Sequence, residues 1–225
     1  MSGSIVSAGL RTRVRGMAEP VARGFGRLGL TPNHLTFIGF GIAVVAAVAA
    51  AQQAWLAAGL LVLFGGIFDL FDGALARATN KVSKLGAFYD SVFDRWGEGV
   101  VYVGIAAGSA AAGFHEGPVL AAAALSSAVM VSYARAKSEG LGFTAGTGMA
   151  NVGLMPREVR LGILAVGLLL APVTLFEALP PGVACGGPCD LQGGTLTLAL
   201  AAIAIGATIT TIQRILHVRA QAREG

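Results

Sequence analysis

Charge is scarce in this chain. Asp, Glu, Lys and Arg together make up 12% of its 225 residues, whereas 55% of the residues are hydrophobic. An ordinary soluble domain carries roughly 25% charged residues, so the composition excludes a soluble globular protein and indicates a membrane protein. The length allows about six spans of about 20 residues with short connections. We therefore expect one integral membrane domain.

Cysteine and histidine are also rare. The two cysteines, Cys185 and Cys189, lie in one loop, and the three histidines are scattered along the chain. A disulfide between the cysteines would close a very small ring, and free thiols are the alternative. Two thiols without a nearby histidine make a poor tetrahedral metal site. We expect no catalytic role for the cysteines.

Lysine and arginine are missing from three connections between apolar stretches, which are AQQAW, GFHEGP and LPPGVACGGPCDLQGG. The 16 basic residues lie instead in the leader, the alternating turns, the tail, and the adjoining helix ends. Because loops rich in Lys and Arg stay in the cytoplasm, this alternation predicts an all-α protein with six transmembrane helices and both termini cytoplasmic. The apolar stretches are residues 35–51, 55–78, 85–113, 118–135, 159–179 and 195–216.

The chain is expected to have three parts: a cytoplasmic juxtamembrane segment (1–30), a six-helix domain (31–218) and a cytoplasmic tail (219–225). The arginine-rich leader shows no signal-peptide cleavage site, so we expect the first span to be retained. The leader is predicted to form an amphipathic helix on the membrane surface, bent near Pro20. Basic residues at span ends contact anionic headgroups, so no nucleic-acid partner is expected.

Acidic residues are few, yet four lie between Asp69 and Asp94. Asp69 and Asp72 are three residues apart and Asp90 and Asp94 are four apart, so each pair shares one face of its predicted helix. At a rise of about 1.5 Å per residue, both pairs lie roughly 8 to 15 Å inside the cytoplasmic surface. We expect the four carboxylates to meet at one level in a cavity open to the cytosol.

Four carboxylates at one level repel one another unless a cation lies among them. Such a set of hard oxygen ligands suits Mg²⁺ or Mn²⁺, which also binds the phosphate oxygens of substrates. One alternative is that Arg77 and Arg95 neutralise the acids, which then only hold helices together. Another is a cation- or proton-coupled transporter with the acids along its ion path. The chain shows no inverted repeat of the kind common in transporters.

The spacing Asp69-x2-Asp72-Gly73-x2-Ala76-Arg77-x8-Gly86-x3-Asp90-x3-Asp94 resembles the complete signature of the CDP-alcohol phosphotransferase family. The resemblance implies a homodimeric membrane enzyme that transfers a phosphatidyl-type group from a CDP-linked lipid to an alcohol and releases CMP. It also implies two Mg²⁺ or Mn²⁺ ions, held by all four aspartates, with Asp94 as the catalytic base. The expected CDP-lipid contacts are Asn33, Asp69, Gly73, Ala76, Arg77 and Gly86.

Two of these assignments have a structural alternative. Small residues such as Gly73 and Gly86 let a ligand approach the backbone, and they also let helices pack closely. The stretch Thr31-Pro32-Asn33 resembles the family's entry to the first helix, where Asn33 would contact the nucleotide. It also has the pattern of a helix start, with Thr31 as the cap and proline in the first turn.

Basic residues at the ends of the last three predicted helices indicate the acceptor. An unpaired charge inside or beside an apolar stretch is unfavourable, and a phosphorylated acceptor would pair with it. The expected acceptor-phosphate ligands are Arg135, Lys137, Arg157, Arg160 and Arg214. The segments SYARAK, MPREVRL and IQRI are similar to the phosphatidylinositol phosphate synthase branch, whose acceptor is inositol 1-phosphate.

Two positions depart from that branch. Arg135 stands where the branch usually has Lys, and Met155 stands where it often has Glu before the proline. The alternative acceptor is therefore glycerol 3-phosphate, which would make the protein a phosphatidylglycerophosphate synthase. In either case a phosphorylated polyol is expected as the acceptor, at a multi-pass cell-membrane protein whose active site faces the cytoplasm.

Overall fold

The computed structural model describes residue 20 and residues 24–79, 81–143, 152–171 and 194–224. Within these residues every regular element is a helix, which confirms the predicted all-α class. A helical turn at residues 24–27 comes first. It is followed by α1 (Pro32–Ala51), α2 (Trp55–Ala78), α3 (Lys84–Ala111), α4 (Gly117–Gly140), α5 (Arg157–Leu170) and α6 (Gly194–Glu224).

The helices agree with the apolar stretches except at some ends. The helix α4 continues to Gly140 and α6 continues to Glu224, beyond the predicted ends at Arg135 and Leu216. Hydropathy predicts where a helix leaves the apolar layer, but the helix itself continues until a residue such as Gly or Pro interrupts it. The stretch HVRAQARE at the end of α6 contains neither. The predicted fifth stretch is described only as far as Ala171.

Four helices, α1, α2, α4 and α6, are long and apolar enough to cross a membrane. The helix α3 is 28 residues long but carries several charges near its start. The described part of α5 has 14 residues, about 21 Å at 1.5 Å per residue, which is less than the roughly 30 Å of a hydrocarbon core. The six-span count and the side of the termini stay predictions. Most of the leader, Cys185 and Cys189 lie outside the described residues.

The helices form a closed ring. Each packs against two neighbours, in the order α1, α3, α4, α6, α5, α2 and back to α1. The shared core is built of alanine and of larger apolar residues such as Tyr102, Ile105 and Leu164. This order brings the second half of α2 and the first turns of α3 and α5 together at one end of the ring.

Small residues hold α3 unusually close to α1. A Cβ added at Gly104 would overlap the backbone carbonyl of Ala47, and one at Gly108 would overlap that of Ala50. Small residues at such contacts let helix backbones approach and gain dispersion energy in a membrane. The contact fixes the height of α3 against α1, and therefore the height of every charged residue on α3.

The segment before α5 is fastened to α6. The Thr210 hydroxyl oxygen accepts hydrogen bonds from the backbone N–H groups of Leu154 (3.1 Å) and Met155 (2.9 Å). Gly153, beside them, has a φ of +122°, and a side chain there would collide with Thr210. Arg214 donates to the carbonyl oxygen of Val152 at 3.0 Å. These bonds tie the segment that leads into α5 to α6.

We predict that Gly104→Ala lowers the thermal unfolding midpoint of the protein in detergent. The added methyl group must displace the α1 backbone, and such overpacking typically costs about 1 to 3 kcal/mol. Gly41→Ala on α1 is the matched control, because an added Cβ there meets no atom within 4 Å. The control should leave the midpoint unchanged or raise it slightly. Equal midpoints for the two variants would contradict the close α1–α3 contact.

Candidate active site

The four predicted aspartates face one another at one end of the ring. The carboxylates of Asp69 and Asp72 on α2 are close enough to those of Asp90 and Asp94 on α3 to repel them. Asp69 and Asp94 border a cavity of about 570 Å³ between α2, α3 and α5. Asp72 borders a second cavity of about 320 Å³ between α1, α2 and α3, and Asp90 borders both. The acids thus form the wall between two cavities.

Arg157 brings α5 into this acidic group. Its Nη2 lies 2.7 Å from Asp69 Oδ2 and its Nη1 lies 2.8 Å from Asp94 Oδ2. One guanidinium therefore joins an acid of α2 to an acid of α3 and offsets part of their repulsion. The Arg157 Nε is buried without a partner among the described residues, which leaves one donor of this group unused.

Asp72 is held by a neighbour on α1. The Thr36 hydroxyl donates a hydrogen bond of 2.9 Å to Asp72 Oδ2, and both side chains are buried. A hydrogen bond to a charged group fixes its orientation more strongly than one between neutral groups. Thr36 was missed from the sequence, because nothing in its position on α1 reveals a partner 36 residues away.

The donor set suits a hard divalent cation. In the described part of the chain, no three His, Cys, Asp or Glu side chains already stand at metal-ligating spacing, and Arg157 and Thr36 hold three of the four acids. The group nevertheless offers only carboxylate oxygens from two facing helices, and these are the ligands that Mg²⁺ and Mn²⁺ prefer. The residues therefore fit the predicted metal by their chemistry.

The second cavity collects most of the residues predicted to bind the CDP-lipid. It is lined by Asn33, Gly73, Ala76, Arg77 and Gly86, while Asp69 borders the neighbouring cavity. The Ser83 hydroxyl caps α3 by accepting from the Gly86 N–H at 2.9 Å. A Cβ at Gly86 would lie 3.0 Å from that hydroxyl and 3.3 Å from Asn33 Oδ1. Glycine therefore leaves room here for two polar groups.

The stretch before α1 forms the predicted helix start, and the nucleotide contact of Asn33 stays a prediction. Thr31 caps α1 by accepting from the His34 N–H at 3.3 Å, and Pro32 is in the first turn. Asn33 also lines the cavity. Further along, an added Cβ at Gly73 would lie 3.3 Å from Arg77 Nη1. Arg77 thus lies over Gly73, on the border of both cavities.

The predicted acceptor residues occupy different environments. Arg160 is 1% exposed and is paired with Glu98, and Arg214 donates to the carbonyl oxygens of Val131 and Val152. Arg135 pairs with Glu139 at 2.8 Å on the surface of α4. Lys137 is exposed on the same helix. Only Arg157 borders the large cavity directly.

The charges of these arginines are nevertheless close enough to repel one another. Arg214 lies within range of Arg135, Arg160 and Arg95, and Arg160 lies within range of Arg157. Arg95, which directly follows Asp94, was not among the predicted acceptor residues. Like charges at this density repel one another, so the arrangement favours an anion nearby. We call Arg95, Arg135, Arg157, Arg160 and Arg214 the arginine cluster.

Glu98 is a further acid that sequence reasoning missed. It is 5% exposed and binds Arg160 through both carboxylate oxygens, each at 2.8 Å. A signal was present, since Asp90, Asp94 and Glu98 follow one another at intervals of four residues and so share a helix face. Glu98 lies one turn beyond Asp94, where the family signature ends.

The fold and the site define a helical membrane protein with two neighbouring cavities, both lined by aspartates, at one end of its ring of helices. The family profile described as CDP-alcohol phosphatidyltransferase matches residues 29–213. The chain belongs to this family, as the motif from Asp69 to Asp94 predicted. It is thus a transferase of phospholipid biosynthesis.

Related proteins carry more specific names. The archaetidylinositol phosphate synthase of Pyrococcus horikoshii is 36% identical over 174 residues, which are 77% of this chain and 85% of the relative. The phosphatidylinositol phosphate synthase of Cutibacterium acnes is 32% identical over 211 residues, or 89% of this chain and 91% of the relative.

Solved structures of the Mycobacterium tuberculosis phosphatidylinositol phosphate synthase have the same fold. The structure with CDP-DAG bound has a TM-score of 0.72 and 28% identity, covering 89% of this chain and 92% of that one. The structure in complex with manganese and citrate has a TM-score of 0.71 at the same identity, covering 90% and 88%.

We predict that Thr36→Val raises the Mn²⁺ concentration needed for half-maximal CMP release by about tenfold. Valine keeps the shape of threonine but cannot donate to Asp72, and a hydrogen bond to a charged group contributes about 1.5 to 3 kcal/mol. Thr208→Val is the control, because the exposed Thr208 hydroxyl donates to the Ala204 carbonyl of its own helix. A Thr36→Val enzyme with the metal requirement of the control would show that Thr36 does not orient a metal ligand.

Proposed function

We propose that this enzyme transfers a phosphatidyl-type group from a CDP-diacylglycerol-like lipid to a hydroxyl group of inositol 1-phosphate, with release of CMP. The observation that carries the proposal is the arginine cluster directly beside the four aspartates. The acids suit a CDP diphosphate bound together with a divalent cation, and the arginines suit an acceptor that has a phosphate of its own. The names of the related proteins support the same acceptor.

The metal would be held by Asp69, Asp72 and Asp90 with help from Asp94. When bound, Mg²⁺ or Mn²⁺, two ions per site in our proposal, supplies positive charge to the diphosphate and to the departing CMP. The manganese complex of the neighbouring structure supports a divalent cation at such a site. Arg157 would then be free to leave the acids and meet the acceptor.

The CDP group of the donor would occupy the cavity on the Asp72 side. Asn33, Gly73, Ala76 and Gly86 line it, and three of these four residues are small or lack a side chain. Arg77 lies where this cavity meets the larger one, so its guanidinium can contact the diphosphate. Asp69 would contact the CDP-lipid from the larger cavity.

Asp94 is proposed as the general base. It borders the larger cavity on the side of Arg157 and the arginine cluster, away from the cavity of Asp72. Its carboxylate would take the proton of the acceptor hydroxyl as that oxygen attacks the phosphorus next to the lipid. The bond from this phosphorus to the oxygen of CMP breaks, and CMP leaves with the electron pair.

The acceptor phosphate would be bound by the five predicted cations in two ways. Arg157 borders the large cavity, and Arg135 and Lys137 lie on the accessible last turns of α4. These three would reach the phosphate. Arg160 and Arg214 are committed to protein partners and would contribute positive potential from behind.

Glycerol 3-phosphate is the second candidate acceptor, because it offers the same phosphate and a hydroxyl group to the same cluster. The transporter alternative is set aside, since the chain belongs to a family of transferases. Arg77, Lys81 and Lys84 lie at the same end as the site, which supports a cytoplasmic active site in a multi-pass cell-membrane protein. The family resemblance further supports a homodimer.

The acceptor is tested by measuring CMP release from CDP-diacylglycerol with Mg²⁺ by purified protein in detergent. We expect release with inositol 1-phosphate to exceed release with free inositol or serine by about a hundredfold or more, because both lack the phosphate that Arg157, Arg135 and Lys137 would bind. Preference for glycerol 3-phosphate would keep the mechanism but change the proposed acceptor. Equal rates with neutral acceptors would overturn the role of the arginine cluster.

We predict that Asp94→Asn abolishes most turnover while binding of CDP-diacylglycerol stays within about twofold of the wild type. General base catalysis contributes typically about a hundredfold to ten-thousandfold, and asparagine cannot accept the proton. The control is Glu116→Gln, an exposed position at the start of α4, at the opposite end of the ring. Turnover by Asp94→Asn equal to that of the control would remove Asp94 as the base.

A further inference from the structure

Glu98, which forms a buried ion pair with Arg160, has no role in the chemistry described so far. Arg160 Nε donates to Glu98 Oε1 and Nη2 donates to Oε2, both at 2.8 Å. Its Nη1 donates to the Met155 carbonyl oxygen at 3.1 Å, and the Tyr102 hydroxyl donates to Glu98 at 3.4 Å. Every one of these groups is inside the protein.

Stability is a weak reason for such a pair. Removing two charges from water is costly, and apolar side chains of similar size often serve packing as well or better. A bidentate carboxylate–guanidinium pair does, however, define distance and orientation more narrowly than apolar contacts do. The pair is therefore better explained as a device that sets geometry.

The pair forms the second of two parallel links between α3 and α5. Glu98 follows Asp94 by four residues, and Arg160 follows Arg157 by three, so the pair repeats one helical turn deeper the link between Asp94 and Arg157. The helices α3 and α5 are not adjacent in the ring of packed helices. The two links therefore cross the interior of the ring, where apolar packing between these helices does not set their register.

The deeper link also borders the site. Glu98 lines an inner cavity together with Asp69, Asp94 and Arg157. Arg160 connects Glu98 to the Met155 carbonyl, and the Met155 N–H is held by Thr210 on α6. Arg160 thus connects Glu98 to the segment that leads into α5. Arg160 itself lies about one helical turn after Arg157.

We propose that Glu98 is a positioning residue for the acceptor side of the active site. Through its bidentate pair with Arg160 it sets the rotation and height of α5, and thereby holds Arg157 where the acceptor phosphate binds. Donor binding depends on α1, α2 and the start of α3, so Glu98 governs affinity for the acceptor and leaves affinity for the CDP-lipid unchanged. This inference rests on the proposed role of Arg157.

The test compares Glu98→Gln with the wild type in full-length protein in detergent. Glutamine keeps the size of the side chain but loses the charge and one of the two acceptor oxygens. We expect the acceptor KM to rise about tenfold, as is usual when a partner that orients a ligand-binding side chain is removed. The donor KM and Mn²⁺ binding should stay within about twofold of the wild type. Glu116→Gln is the matched control, an exposed Glu at the far end of the ring.

A double variant separates positioning from general damage. If Glu98 acts through Arg157, Glu98→Gln/Arg157→Gln should have the acceptor KM of Arg157→Gln alone, because the two changes interrupt one path. Multiplied effects, an unchanged acceptor KM in Glu98→Gln, or a parallel rise in donor KM would overturn the proposal. Should Glu98→Gln not fold, Glu98→Asp, which keeps the charge but shortens the side chain, takes its place in the same cycle.

The failure of this proposal can be told from failure of the proposed acceptor. If the wild type uses glycerol 3-phosphate instead of inositol 1-phosphate, the proposed acceptor is wrong, and the same comparison is made with glycerol 3-phosphate. A selective rise in its KM would still support Glu98 as a positioning residue, and no rise would still overturn it.

Discussion

The mutual repulsion of four carboxylates is the constraint around which this molecule is built. Asp69 and Asp72 on α2 face Asp90 and Asp94 on α3 between two cavities at one end of the ring. Charges of one sign held together in such a place require compensation from other elements. Thr36 on α1 and Arg157 on α5 provide it within the protein, and the proposed divalent cation would take the place of Arg157 beside the acids.

The packing of the ring decides which helix supports each acid. Close contact at Gly104 and Gly108 sets α3 against α1, which places Asp90 of α3 beside the cavity proposed for the nucleotide. The anchoring of α5 to α6 places Arg157 beside Asp94 and the larger cavity. One wall of acids therefore separates the cavity proposed for the donor from the cavity proposed for the acceptor, and each cavity has its own supporting helices.

The features of the site that depend on residue spacing within one helix, or across one short turn, could be predicted from the sequence. The shared faces of the aspartates, the small residue at Gly86 and the cap at Thr31 follow from local rules of helix geometry. Arg157 joining two acids, Thr36 holding Asp72 and Arg160 pairing with Glu98 did not follow, because each contact joins helices 36 to 88 residues apart in the chain. Charge on Arg160 indicated a partner, but the sequence could not distinguish an acceptor phosphate from a buried glutamate.

The most direct test of the account is a titration of purified protein with Mn²⁺, followed by the electron paramagnetic resonance signal of the free aqueous ion. The account predicts that the wild type removes Mn²⁺ from solution, whereas Asp72→Asn/Asp90→Asn, which leaves both acids of Arg157 in place, does not. Equal Mn²⁺ uptake by the two proteins would contradict the claim that the facing aspartates of α2 and α3 form one metal-binding group.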